Sequence, residues 1–210
     1  MELIAESISK KIKNKIILDN VCATFKSGKT YGIVGRNGSG KTMLFRALSG
    51  LIKIDSGDIL LDGQRLHKDM EIMPELGIMI ENAGLYPELS GFDNLKFLTG
   101  INKKVDDAVI REYIKKVGLD PYDKRPFSKY SLGMKQRITF AQAIFESPHI
   151  IMLDEPTNAL DEEGVVTIRN LISEQKNADT IILIASHNKE DIESLVDVVY
   201  RMKDGRLYEA

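Results

Sequence analysis

The sequence predicts an α/β fold with three parts: a parallel-sheet core, an antiparallel β subdomain and an inserted α-helical subdomain. Short β-branched runs alternate with helical segments through much of the chain, as they do in parallel sheets with crossover helices. Strand-like pieces in residues 1–30 and 57–66 are separated by glycine turns, which favours antiparallel pairing. Residues 85–147 carry helical patterns without a buried strand. We therefore predict one domain over 1–210, with the helical subdomain at about 85–147.

The core strands are predicted from short apolar, β-branched runs, at Thr30–Val34, Ile150–Leu153, Thr180–Ile184 and Val198–Arg201. Helices are predicted around them, at Met43–Leu48, Glu162–Lys176 and Lys189–Val196. One further helix follows Tyr130. It carries an apolar stripe with steps of four, three and four residues, made by Met134, Ile138, Ala141 and Phe145.

Size, charge and cysteine content exclude several classes of protein. The 210 residues, 43% of them hydrophobic, suffice for one sizeable core. A net charge of -2, from 29 basic and 31 acidic residues, gives no overall field that would attract nucleic acid or anionic lipid. Cys22 is the single cysteine, and the N-terminus does not resemble a secretory signal. The longest apolar runs are far shorter than the roughly 20 residues that span a bilayer. We expect a cytoplasmic protein without direct membrane insertion.

A phosphate-binding loop is predicted between the first core strand and its helix. Residues Gly35–Thr42 fit the pattern G-x-x-x-x-G-K-[ST] in the strand–loop–helix context that the motif requires. A chance glycine turn is the alternative, and the intact flanking elements argue against it. The Lys41 ammonium would bridge the β- and γ-phosphates, and the Thr42 hydroxyl would bind Mg²⁺. The predicted nucleotide contacts of this loop are Gly35, Asn37, Gly38, Ser39, Gly40, Lys41 and Thr42.

Two acidic residues follow the second predicted core strand. Asp154 stands at the carboxyl end of that strand, beside the glycine loop, where its carboxylate can hold Mg²⁺. Glu155 comes next and can accept a proton from an attacking water. A polar strand end before Pro156 is the plainer explanation for this pair. The neighbouring phosphate-binding loop makes the catalytic interpretation the stronger one.

A second glycine-bearing loop precedes the helix that follows Tyr130. Ser131 is a good N-cap residue, and the backbone N–H groups at such a helix start attract anions. A single triphosphate needs one cradle. The second loop therefore suggests that the molecule closes on another copy of itself.

Taken in chain order, Gly35–Thr42, Ser131–Arg137, Asp154–Asp161 and His187 resemble the nucleotide-binding subunit of an ATP-binding cassette (ABC) transporter. The resemblance spans essentially the whole chain and implies a RecA-like P-loop NTPase core. It also implies a head-to-tail homodimer in which ATP lies between the P-loop of one copy and Ser131 and Gly133 of the other.

The resemblance further implies roles for individual residues. The segment Asn158–Asp161 would cross the dimer interface, with Asp161 among the nucleotide-binding residues. His187 would contact the γ-phosphate near Glu155, so that Lys41, Glu155 and His187 form the catalytic set.

The sequence departs from the family pattern in one short segment and at two single positions. The usual Leu-Ser-Gly-Gly-Gln is replaced by Tyr-Ser-Leu-Gly-Met at 130–134, a variant that resembles ATPases of bacitracin- and lantibiotic-type exporters. Glu81 stands where most members have a glutamine, and we expect its carboxylate to contribute to the metal site. Ile12 aligns with the aromatic residue that stacks on adenine, so that an apolar contact replaces stacking.

The predicted function is ATP binding and hydrolysis that powers transport, in the direction of export, through a separate integral-membrane permease. The protein would then lie at the cytoplasmic face of the membrane and use ATP and Mg²⁺. The alternative is a soluble ABC ATPase that drives assembly of a cytosolic complex such as an iron–sulfur cluster scaffold. A P-loop kinase or GTPase would leave Ser131–Arg137 unexplained.

For two surface segments, the sequence leaves two explanations open. The segment Leu85–Leu89 either forms part of a groove for the permease or packs on its own helical subdomain as a hinge. The N-terminal lysines either contact lipid headgroups or the phosphates of an adenine nucleotide, or form a solvated strand edge; they are Lys10, Lys11, Lys13 and Lys15. We assign no role to His67 or His149.

Overall fold

A computed structural model describes residues 1–80, 84–102 and 105–209. The predicted metal ligand Glu81 lies outside these described residues. The strands are β1 Glu2–Ile12, β2 Lys15–Lys26, β3 Lys29–Val34, β4 Ser56–Leu61, β5 Gln64–Arg65, β6 Leu76–Met79, β7 Ile150–Asp154, β8 Ile181–Ala185, β9 Val198–Lys203 and β10 Arg206–Glu209. The α-helices are α1 Lys41–Leu48, α2 Gly91–Asn102, α3 Asp107–Lys116, α4 Leu132–Ile144, α5 Glu162–Gln175 and α6 Lys189–Leu195. A short 3-10 helix covers Phe127–Lys129.

The central sheet has the strand order β10-β9-β3-β8-β7-β6. Neighbours from β9 to β6 pair in parallel, and β10 alone is antiparallel to its neighbour. A second sheet, of order β2-β1-β4-β5, is antiparallel throughout. These two sheets confirm the predicted parallel core and antiparallel β part.

Strands β7 and β8 lie inside the central sheet and are buried on both faces, to which their side chains point alternately. Ile150 and Met152 join the hydrophobic cluster between the central sheet, α1 and the antiparallel sheet. Ile151 and Leu153 join a second cluster, which contains the apolar faces of the helices between α2 and α5. The loops that follow β7 and β8, which carry the predicted residues Glu155 and His187, therefore project from a rigid base.

Helices α2, α3 and α4 all lie within residues 85–147, where the sequence predicts helices. The predicted stripe on α4 faces inward, and Ile138, Ala141 and Phe145 are each at most 2% exposed. Asp106 caps α3 by accepting hydrogen bonds from two backbone N–H groups of its first turn. The domain boundaries themselves stay a prediction.

The sequence analysis did not predict two strands, β6 and β10. Strand β6 forms the edge of the central sheet beside β7, and β10 forms the opposite edge. Other boundaries differ little, as α1 begins at Lys41 instead of Met43. In the part of the chain that the structure describes, every helix is too short or too polar to span a membrane.

Candidate nucleotide site

The loop between β3 and α1 has a backbone that glycine makes possible. Gly40 has a left-handed φ of 113°, and a Cβ there would lie 3.0 Å from the carbonyl oxygen of Ile17. A Cβ at Gly35 would overlap the carbonyl oxygen of Met202. Helix α1 has no side-chain N-cap and no acidic residue in its first turn. The N–H groups of that turn are therefore available to an anion.

Lys41 is held within this loop. Its Nζ donates a hydrogen bond to the carbonyl oxygen of Gly35 at 2.9 Å and lies 3.5 Å from Oε1 of Glu155. The side chain is only 7% exposed. A cation this well buried and aimed at the glycine loop is suited to bind a phosphate group.

Two oxygen ligands meet at the end of β7. The hydroxyl of Thr42, in the first turn of α1, donates a hydrogen bond to Oδ2 of Asp154. Magnesium prefers oxygen ligands and is commonly held by one or two carboxylates together with substrate phosphates. Within the described ranges there is no cluster of three or more His, Cys, Asp or Glu residues that would hold a metal by protein ligands alone. This hydroxyl–carboxylate pair fits Mg²⁺ bound together with a nucleotide.

Glu155 lies between Lys41 and His187. Its Oε2 is 2.7 Å from Nδ1 of His187 and also accepts a hydrogen bond from the His187 backbone N–H at 3.3 Å. Its Oε1 is buried without a hydrogen-bond partner in the described structure. This oxygen faces the Lys41 ammonium, 3.5 Å away, so the carboxylate lies between the lysine and the histidine.

The backbone of Glu155 adopts a left-handed φ of 51°, which is uncommon for a residue other than glycine. Its N–H donates to the carbonyl oxygen of Ala185 at 2.8 Å, and its own carbonyl oxygen accepts a hydrogen bond from Nε2 of Gln136 at 2.7 Å. These contacts from β8 and α4 hold the residue in a strained conformation that fixes its carboxylate.

A cavity of about 1060 Å³ opens in front of these groups. Its walls come from the P-loop, from the ends of β7 and β8, from α4 and from β2. They include Arg36, Lys41, Thr42, Asp154, Glu155, His187, Leu132, Gln136, Lys15 and Ile17. The structure therefore brings together the predicted catalytic residues Lys41, Glu155 and His187 and the predicted metal ligands Thr42 and Asp154.

Ser131 and Gly133 are placed differently from the rest of the predicted set. Ser131 caps α4 by accepting a hydrogen bond from the N–H of Met134 at 3.2 Å. Ser131 is exposed, and neither it nor Gly133 belongs to the described lining of the cavity. The turn at 131–133, which we call the Ser131 turn, thus presents an exposed Ser131 to solvent, while Leu132 between them lines the cavity.

The Ser131 turn packs against the segment that ends at Asp161. A Cβ at Gly133 would lie 3.1 Å from the carbonyl oxygen of Ala159. Nη2 of Arg137 lies 2.8 Å from Oδ1 of Asp161. The backbone N–H of Gly164, followed by the Arg137 charge, lowers the pKa of Asp161 below its ordinary value. Asp161 therefore contacts Arg137 of α4 and Gly164 of α5, and it is not among the lining residues of the cavity of its own chain.

The roles of all the predicted site residues stay predictions, and two of these residues, Ile12 and Glu81, are not among the described lining residues of the cavity. Ile12 ends β1, is 42% exposed and pairs with Lys15 on β2. Lys15 and Ile17 line the cavity, whereas Ile12 is not among its described lining residues. Ile80 and Gly84, the described residues on either side of the undescribed residues 81–83, also line the cavity.

Comparison with known proteins gives the family. The family described as ABC transporter matches residues 18–158. This chain belongs to the ABC transporter family. The resemblance inferred from the sequence motifs is confirmed.

Several ABC transporter proteins are similar over nearly the whole chain. The uncharacterized ABC transporter ATP-binding protein YybJ of Bacillus subtilis is 49% identical over 201 residues, covering 96% of this chain and 92% of the relative. The lantibiotic transport ATP-binding protein SrtF of Streptococcus pyogenes is 35% identical, covering 96% and 87%. The bacitracin transport ATP-binding protein BcrA of Bacillus licheniformis is 41% identical, covering 91% and 63%.

Solved ABC cassettes share the fold. A dimeric post-hydrolysis state of an ATP-binding cassette bound to ADP and Pi superposes with a TM-score of 0.87 at 21% identity, covering 99% of this chain and 97% of that one. At this identity the likeness concerns the fold, and it confirms the predicted P-loop α/β architecture.

The sequence analysis did not predict a buried hydrogen-bond network behind the candidate nucleotide site. Asp191 of α6 is 0% exposed and accepts hydrogen bonds from Thr157 Oγ1 at 2.6 Å, from Ser186 Oγ at 3.2 Å and from Arg169 Nε at 2.8 Å. Thr157 and Ser186 lie close to Glu155 and His187 in the chain. No local pattern in the sequence joins these residues, because their partners lie up to 34 positions apart.

Proposed function

We propose that this chain is the ATP-binding and ATP-hydrolysing subunit of an ABC transporter and that it works with Mg²⁺. The observation that carries the proposal is the placement of Glu155. Its carboxylate lies between the Lys41 ammonium and the His187 imidazole, next to the Thr42–Asp154 pair, and its Oε1 makes no hydrogen bond in the described structure.

The geometry supports a division of tasks. The P-loop N–H groups and Lys41 bind and orient the phosphates, with Gly35, Asn37, Gly38, Ser39 and Gly40 giving the backbone close access. Thr42 and Asp154 would hold Mg²⁺, which would offset phosphate charge. Glu155 accepts a proton from the attacking water through Oε1, while Oε2 is kept in place by His187. Glu81 as a further metal ligand and Ile12 as a contact for the base belong to this proposal.

A second copy completes the site. Ser131 is exposed, Gly133 packs against Ala159, and neither residue lines the cavity of its own chain. The N–H groups at the start of α4 lie at the same turn. We assign these groups to the γ-phosphate bound by another copy in a head-to-tail homodimer. Asp161 would reach the same interface through its segment 158–161.

The partner that carries substrate would be an integral-membrane permease, with this subunit at the cytoplasmic face of the membrane. The support is the relatives' description as transport ATP-binding proteins for lantibiotics and bacitracin. Those relatives also favour transport, in the direction of export, over assembly of a cytosolic complex. The exposed aromatic pair Tyr86 and Phe97, with ring centroids 5.0 Å apart, lies in the predicted permease-facing segment or next to it.

The test is Glu155→Gln. We expect phosphate release from ATP to fall at least about a hundredfold, because the amide cannot accept the proton of the water. ATP binding should persist, since Lys41 and the P-loop are unchanged, and the protein should accumulate as an ATP-bound dimer. Phosphate release, nucleotide binding by fluorescence and analytical ultracentrifugation measure the three quantities.

The matched control is Glu174→Gln, an exposed glutamate on α5. It should retain wild-type turnover and show no trapped dimer. Turnover by Glu155→Gln within threefold of the control would contradict the proposed role of Glu155.

A further inference from the structure

A second groove lies beside the P-loop and carries unneutralised positive charge. Its volume is about 920 Å³, and it is lined by P-loop residues, by the segment after β8 and by β9. Arg36, Arg201 and Lys203 line it and are exposed. In the described part of the chain, none of the three forms an ion pair or a side-chain hydrogen bond. We call this surface the basic groove.

Other charged residues of the lining do not cancel this charge. Lys189 adds a further cation, which lies 3.2 Å from Glu193 on the same helix. Asp204 is the one carboxylate among the described lining residues. Arg201 is placed beside the P-loop because β9 pairs with β3 in the register Val34 to Arg201. The groove is therefore a fixed feature of the central sheet.

The opposite charge lies at the start of α5. Asp161, Glu162 and Glu163 are consecutive exposed carboxylates, which we call the α5 tip. Asp161 is engaged by Arg137. The side chains of Glu162 and Glu163 have no ion-pair partner in the described ranges of this chain. The α5 tip thus presents net negative charge to solvent.

The α5 tip is fixed next to the Ser131 turn. Arg137 of α4 lies 2.8 Å from Asp161, and the carbonyl oxygen of Ala159 lies against Gly133. A second copy that places its Ser131 turn over the bound phosphates therefore brings its α5 tip to the edge of the same P-loop. The basic groove lies at that edge, because Arg36 belongs to the P-loop itself.

We propose that the basic groove receives the α5 tip of a second copy of this chain, so that Arg36, Arg201 and Lys203 pair with the partner copy's carboxylates. The inference rests on the proposed head-to-tail dimer and adds a recognition surface to it. Complementary charge of this kind steers association and fixes register. Because the charges lie at an exposed rim, dimer formation should weaken as salt rises.

The experiment uses the full chain carrying Glu155→Gln, with ATP and Mg²⁺, and measures the dimer dissociation constant by analytical ultracentrifugation. Arg201→Glu with Lys203→Glu forms one variant and Glu162→Lys with Glu163→Lys forms another. Each should raise the dissociation constant at least about tenfold, since like charges then face each other. Combining all four substitutions should recover most of the affinity, because the pairs are restored with reversed sign.

The control variant carries Lys53→Glu with Lys124→Glu, two exposed lysines outside the groove. It makes the same change in net charge as the groove variant and should leave the dissociation constant within twofold. Circular dichroism checks that every variant is folded.

The outcomes separate this inference from the proposed function. If the Glu155→Gln protein dimerises with ATP and the reversed charges change nothing, the groove assignment is wrong and the dimer stands. If both reversals weaken the dimer and their combination does not restore it, the groove and the α5 tip do not pair with each other, and the groove assignment is again overturned. If Glu155→Gln itself shows no ATP-dependent dimer, the proposed dimer fails and this inference fails with it.

Discussion

Glu155 owes its orientation to backbone contacts as much as to its side chain. Residues held at left-handed φ cost free energy of order 1–3 kcal/mol and persist where the surroundings over-determine them. Here the surroundings are the carbonyl oxygen of Ala185 and the amide of Gln136, from a strand and a helix on either side. Gln136 belongs to α4, so the helix that carries the Ser131 turn also touches the backbone of Glu155. This contact is a physical route by which a partner bound at the Ser131 turn can influence Glu155.

Asp191 is predicted to position the two catalytic loops. Asp191→Asn keeps the size of the side chain and removes the charge that Arg169 faces, while the Arg169 side chain is only 19% exposed. We expect the free energy of unfolding to fall by about 3–5 kcal/mol, as when one partner of a buried ion pair is removed. We also expect kcat to fall with KM nearly unchanged, because Thr157 and Ser186 hold the segments of Glu155 and His187 and do not line the described cavity. Denaturant unfolding and steady-state ATPase assays measure both effects.

The exposed Asp179→Asn is the control for Asp191 and should change neither quantity. If the loss of activity equals the loss of folded protein, and kcat per folded molecule is unchanged, then Asp191 has a purely structural role.

At the scale of elements, the packing of β6 against α4 depends on Gly77. A Cβ at this position would overlap the carbonyl oxygen of Ala143 and would lie 2.7 Å from Cγ of Pro148. Neither neighbour is a flexible side chain, so the helix must shift. We expect Gly77→Ala to lower the free energy of unfolding by about 2–3 kcal/mol, as overpacking does. Urea unfolding monitored by circular dichroism measures the change.

Gly100 of α2 provides the matched control, because a Cβ there has no neighbour within 4 Å. Gly100→Ala should stabilise the protein by about 0.5–1 kcal/mol through helix propensity alone. If both substitutions stabilise the protein, α4 does not lie as close to β6 as the structure places it.

Strand β6 also shows where sequence reasoning fails. Its four residues, Leu76–Met79, include a glycine, which weakens a strand signal, and the run is too short to show a period. Only pairing with β7 makes it a strand. By contrast, β7 and β8 could be predicted because both faces are buried and nearly every residue is apolar.

The same distinction applies to the site. Lys41, Thr42, Asp154 and Glu155 could be predicted because their chemistry lies in short contiguous motifs at strand ends. Asp191 could not, since its role exists only where α5, α6 and two loops meet. Long-range contacts of this kind leave no periodic mark in the chain.

For the whole molecule, the proposed dimer predicts complementation between two inactive variants. Lys41→Ala disables the P-loop side of a site, and Ser131→Ala disables the side that the other copy supplies. In a mixed dimer one site carries both defects, whereas the other combines an intact P-loop with an intact Ser131 turn. A 1:1 mixture should therefore recover up to about a quarter of wild-type phosphate release, since half of the dimers are mixed and each has one working site. Steady-state phosphate release of the mixture, compared with each variant alone, is the measurement.

The control mixes Lys41→Ala with the chain that carries both substitutions, which contains no intact combination of P-loop and Ser131 turn. It should stay at the level of the separate variants. Recovery in the first mixture and not in the second is explained only by a site shared between copies, because a site within one chain cannot gain a missing group by mixing. Should the first mixture remain inactive although ultracentrifugation shows mixed dimers, Ser131 would act on the nucleotide of its own chain. The exposure of the Ser131 turn would then need an explanation other than a second copy.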